Sequence, residues 1–123
     1  MTILEKLKKL NQLKLKKPNA PWNKYYSKEE RNFKVPNKTI YELLKESASE
    51  YSNLMAINYF GTKITFKSFI KEIDKVACSF RSQGIRRGDI VSICMPNTPE
   101  ALISFYALNK IGAIVEMIHP LSS

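Results

Sequence analysis

The run Ile90-Val91-Ser92-Ile93-Cys94-Met95, the break Pro96-Asn97-Thr98-Pro99-Glu100 and the second run Ala113-Ile114-Val115-Glu116-Met117-Ile118 decide how this chain folds. Six nearly continuous apolar residues suit a parallel strand buried on both faces, where no alternation is required. Thr98, Pro99 and Glu100 meet three helix-start conditions at once: a side-chain cap, a proline in the first turn and an acid near the positive end of the helix dipole. Residues 101–111 are apolar almost all round, which predicts a helix covered on more than one side, and Gly112 ends it. Strand, helix and strand in this order predict a parallel pair joined by a right-handed crossover, and so an α/β fold.

Moving upstream, Arg86-Arg87-Gly88-Asp89 reads as the turn that leads into the first of these strands. Before it, Phe66, Phe69, Ile70, Ile73, Val76, Ala77 and Phe80 recur at helical spacing, with Lys67, Lys71, Glu72, Asp74, Lys75 and Arg81 on the other side. Thr65 is placed to cap this helix and Gly84 to stop it in the left-handed conformation. Leu54–Phe60 and Lys63–Thr65, separated by Gly61-Thr62, predict a small hairpin. Ahead of the hairpin, Thr39 and Glu42 form a capping-box pattern for a helix whose apolar stripe reads Ile40, Leu43, Leu44 and Ala48.

The remaining N-terminal stretch differs in composition. The chain has 123 residues, 44% hydrophobic and 25% charged, with a formal net charge of +9. Residues 1–38 hold eleven lysines and arginines against Glu5, Glu29 and Glu30, whereas residues 39–123 hold nine against eight acids. The basicity thus belongs to an arm, 1–38, and the part from 39 to 123 is nearly neutral. Lysine outnumbers arginine sixteen to four beside many Ile and Asn, as an AT-rich coding bias would produce. Ile3, Leu7 and Leu10 with intervening lysines predict a basic helical arm, and Pro18 and Pro21 end it. Trp22, Tyr25 and Tyr26 are expected to anchor the connector on a surface groove.

The balance of apolar and charged residues excludes a chain disordered throughout. No run approaches the roughly 20 apolar residues of a membrane span, and no secretory signal is visible. Cys78 and Cys94, each among apolar neighbours, read as reduced, buried thiols of a cytoplasmic protein rather than as a disulfide. The chemical inventory is thin. His119 is the single histidine, so no His/Cys metal cluster can be built around a histidine pair. It follows a strand, where loops of α/β active sites often begin, but nothing pairs with it and a polar loop role is the simpler reading. Gly61, Gly84, Gly88 and Gly112 are isolated turn or cap residues that make no phosphate loop. Arg86 and Arg87 have the charge to grip a phosphate, although a tight turn accounts for them. Glu72, Asp74 and Glu116 show no pairing. No catalytic, cofactor-binding or metal-binding residue is assigned.

Taken in order, these segments resemble the N-terminal part of the AMP-forming acyl-CoA synthetases of the adenylate-forming superfamily. The likeness is carried by Asn58-Tyr59-Phe60-Gly61-Thr62-Lys63-Ile64-Thr65-Phe66, by Gln83-Gly84-Ile85-Arg86-Arg87-Gly88-Asp89-Ile90-Val91 and by Met95-Pro96-Asn97-Thr98-Pro99-Glu100. It continues in Tyr106-Ala107-Leu108-Asn109-Lys110-Ile111-Gly112-Ala113 with His119-Pro120-Leu121. Pro21-Trp22 with Tyr25-Tyr26 resembles the lead-in of the fatty-acyl members. Two positions depart from the family pattern: Ser68 stands where Glu is usual, and His119 where Asn is commoner before the proline.

The resemblance implies a two-step reaction. A carboxylate attacks the α-phosphate of Mg·ATP to give an acyl-adenylate and pyrophosphate, and the thiol of coenzyme A then displaces AMP. It also implies that the phosphate loop, the ribose-binding Asp and the catalytic Lys lie downstream of Ser123, so none of them maps onto this chain. The expected architecture is therefore an incomplete domain: an arm and connector over 1–38, then over 39–123 the first α/β part of the large adenylate-forming domain, inactive alone. ATP, Mg2+, coenzyme A and a fatty acid are implied for the full-length enzyme, with the remainder of that enzyme as partner. A non-catalytic remnant, or a binding module whose residues 1–17 contact an anionic membrane, is the alternative; lysines without a reader motif point to no specific nucleic acid. An isolated partial sheet is further expected to expose an edge and an apolar face, and to self-associate.

Overall fold

The computed structural model describes residues 20–121. The basic helix expected over residues 3–15, and any membrane contact of 1–17, lie outside them. The chain falls into two units that divide after Pro36. In the first, Pro21–Tyr25 is a 3-10 turn and α1 (Lys28–Arg31) is a single turn capped by Ser27. The Ser27 hydroxyl accepts from the Glu30 N–H while Glu30 accepts from the Ser27 N–H, a complete capping box. Trp22, Tyr25 and Tyr26 are all exposed.

The second unit runs α2 (Ile40–Glu50), β1 (Met55–Tyr59), β2 (Thr62–Thr65), α3 (Phe66–Ser82), β3 (Ile90–Ile93), α4 (Pro99–Ile111) and β4 (Ile114–Met117). β1 and β2 pair antiparallel, and β3 and β4 pair parallel, Ile90 facing Ile114 and Ile93 facing Met117. The strand–helix–strand unit and the hairpin are thus present.

Each helix starts where its cap dictates. The Thr39 hydroxyl accepts the Glu42 N–H and the Glu42 carboxylate accepts the Thr39 N–H at the start of α2, and the Thr65 and Thr98 hydroxyls cap α3 and α4. At α3 the arm that a glutamate would supply is missing: Ser68 instead accepts a hydroxyl hydrogen bond from Thr65 at 3.2 Å. α3 and α4 pack over an apolar centre, with Ile73 and Ala107 fully buried in it and the Phe69 and Tyr106 rings edge-on at 5.7 Å. The α3 stripe is buried or half-buried throughout, as its periodicity predicts.

Four expectations need correction. In α2 the inward stripe is Tyr41, Leu44 and Ala48, while Ile40 and Leu43 are exposed. A tyrosine can occupy the core because its polar tip finds partners there: its hydroxyl donates to Asp74 at 2.7 Å and its N–H to Asn109 Oδ1 at 2.9 Å. The hairpin turn is Phe60-Gly61, not Gly61-Thr62. A two-residue loop that follows the strand twist needs positive φ at both positions, and Phe60 (+48°) and Gly61 (+87°) supply it, leaving Thr62 paired with Tyr59. β3 is covered on one face only: Val91 and Ile93 turn inward, while Ile90, Ser92 and, across the pair, Ile114 and Glu116 are exposed. Cys78 and Cys94 are both exposed rather than buried; Cys94 stands on the uncovered side of the same strand run, and Cys78 on the outer face of α3.

Candidate functional site

The two parallel strands are held in register from both ends. At the start, the Gly88 N–H donates to the Gly112 carbonyl at 3.0 Å and the Ile114 N–H to the Asp89 carbonyl at 2.8 Å. Asp89 Oδ2 accepts the Arg86 N–H at 2.7 Å, and the Arg86 guanidinium donates to the carbonyls of Arg81 and Ile85. Arg86 therefore closes the end of α3, as the tight-turn reading holds. Gly112 is left-handed (φ +86°), and a β-carbon there would meet Arg87 Cγ at 3.0 Å. Substitution is doubly disfavoured, by backbone and by contact.

At the finish, the Ile118 N–H donates to the Ile93 carbonyl, and both chains then turn away from the sheet. Their divergence opens a cleft of about 640 Å3 lined by Met95–Asn97 and Met117–Leu121. Crevices outside the carboxyl ends of parallel strands are where open α/β sheets bind ligands. This one is mostly apolar. Its polar groups are the Asn97 side chain and His119, whose Nδ1 accepts the Leu121 N–H at 3.2 Å. The cleft can hold an apolar group and orient it by one or two hydrogen bonds. Among the described residues that line it there is no carboxylate.

The groups that sequence reading treated singly are brought together elsewhere. Asp74 accepts from Lys110 Nζ at 2.6 Å and from the Tyr41 hydroxyl, and Lys110 lies 4.9 Å from the centre of the Tyr41 ring. Partial burial pushes the Asp74 carboxyl up, but the hydrogen bonds from Lys110 and Tyr41 outweigh it and hold it below the usual carboxylate range. Burial and the Asp74 contact raise the Tyr41 phenol. Burial pushes Lys110 down, yet its bonds to Asp74 and Tyr41 leave it raised. With Asn109 on the Tyr41 N–H, this cluster ties α2, α3 and α4 together. Its sequence signal was faint: Asn109-Lys110 is the polar interruption at the end of an otherwise apolar helix, and its partners lie 36 and 68 residues away. Glu116 accepts from Ser92 across the strand pair at 2.6 Å, and Glu72 pairs with Lys75 along α3.

Among the described residues no group of three or more acids, histidines or cysteines could hold a metal ion. The four glycines each sit in a separate turn, so no succession of backbone N–H groups forms a phosphate cradle. No described helix is long and apolar enough to cross a membrane.

Comparison with known proteins places this geometry. Residues 44–123 match the model of the AMP-binding enzyme family. The chain is 32% identical over 102 residues to the long-chain-fatty-acid–CoA ligase of Bacillus subtilis, covering 82% of this chain and 18% of that protein. It is 40% identical over 81 residues to the acetyl-coenzyme A synthetase of Shewanella putrefaciens, covering 61% and 12%. Among solved structures, it is similar to the inhibitor-bound N-terminal domain of FACL13 from Mycobacterium tuberculosis, with 26% identity and a TM-score of 0.67 over 70% of this chain and 22% of that one. The chain spans less than a fifth of the length of the first two relatives. With the match extending from α2 through β4 and the α/β unit agreeing in fold, this chain belongs to the AMP-binding enzyme family of adenylate-forming proteins.

Proposed function

We propose that residues 39–123 form the first α/β part of an AMP-forming acyl-CoA synthetase that joins a fatty carboxylic acid to coenzyme A using ATP and Mg2+, and that residues 1–38 are an arm and connector ahead of it. The carrying observation is the β3–α4–β4 unit, whose strand ends open into an apolar cleft, together with 32% identity to a fatty-acid ligase over most of the chain. These residues supply scaffold and one wall of a site. They carry no catalytic, cofactor-binding or metal-binding residue, and the remainder of the same enzyme is the partner that covers the open face of β3–β4. The reading includes a cytoplasmic location. Contact of residues 1–17 with an anionic membrane rests on their basic composition alone, and co-sedimentation with anionic vesicles, with and without those residues, tests it.

The functional reading is tested in a chimera carrying residues 44–123 in place of the matching stretch of the Bacillus ligase. Fatty-acid-dependent exchange of pyrophosphate into ATP is expected in the chimera, and none with the 123-residue chain alone. A chimera that melts cooperatively but shows no exchange would contradict it.

A further inference from the structure

We draw no further inference here: the strongest candidate, the exposed aromatic surface that Trp22, Tyr25, Tyr26 and Phe33 give the 3-10 turn and α1, carries none because nothing in the structure shows what covers it.

Discussion

Both faces of the β3–β4 pair carry β-branched apolar residues, yet these meet different fates. On one face Val91 and Ile93 lie beneath the helices, Ile93 being only 4% exposed. On the other, Ile90 is 71% and Ile114 56% exposed, with the Ser92–Glu116 hydrogen bond between them and the cleft. The open face mixes Ile90 and Ile114 with Ser92 and Glu116, and the described residues cover the other face only. Hydrophobicity records where a residue is meant to sit, whereas burial records which partners are present. An apolar side chain contributes to stability only where another element takes it out of water.

Replacing one residue from each face measures this difference. Ile73→Ala removes a fully buried side chain at the α3–α4 contact and should cost about 3 kcal/mol in urea unfolding. In a unit this small that is a large share of the total. Ile90→Ala, on the open face, should cost less than about 0.5 kcal/mol. Equal costs would mean that the open face is covered in solution.

Gly112→Ala probes the covered side at its anchor. It should destabilise by about 1–2 kcal/mol, because an L-residue is strained at φ +86° and its β-carbon meets Arg87. Gly61→Ala shares the positive φ without the contact, so its smaller loss isolates the packing share.

The Asp74 cluster should be worth about 1 kcal/mol or less, since the pair is part-exposed and screened by solvent. The folded carboxyl sits below its ordinary value. Its contribution is therefore present above about pH 4, the unfolded value, and is lost as pH falls through the lower folded value. Lys110 is raised, so its share is present below its ordinary value and is lost only as pH rises through the higher folded one. Asp74→Asn should lower the melting temperature slightly at neutral pH, and the difference from the unsubstituted chain should close as pH falls through the folded value.

Smallest in stability is Ile90→Ser/Ile114→Ser on the open face. Its effect should appear in sedimentation, as reduced self-association of the isolated chain with an almost unchanged melting temperature.

Much of this was legible in the sequence because it is local. The caps at Thr39, Thr65 and Thr98, the stops at Gly84 and Gly112 and the α3 stripe all depend on residues within one or two turns. What was not legible depends on distant partners. Tyr41 displaces Ile40 and Leu43 from the α2 core because Asp74 and Asn109 await its polar atoms, and no local pattern announces that. The thiols of Cys78 and Cys94 are exposed because a neighbouring apolar residue does not guarantee a covering element. The turn at Phe60-Gly61 was off by one because the choice rests on strand twist rather than residue type. The cleft at His119 was foreshadowed only by its place after a strand.

The central claim is that this α/β segment is one part of a larger adenylate-forming enzyme that covers its open face. Ile114→Asp, measured by thermal melting in the isolated chain and in the Bacillus ligase chimera, tests it most directly. In the isolated chain the aspartate stays in water and should cost about 1 kcal/mol or less. In the chimera it becomes a buried, unpaired charge, so a much larger loss of stability is predicted, together with loss of fatty-acid-dependent exchange. Equal, small effects in both would contradict the claim.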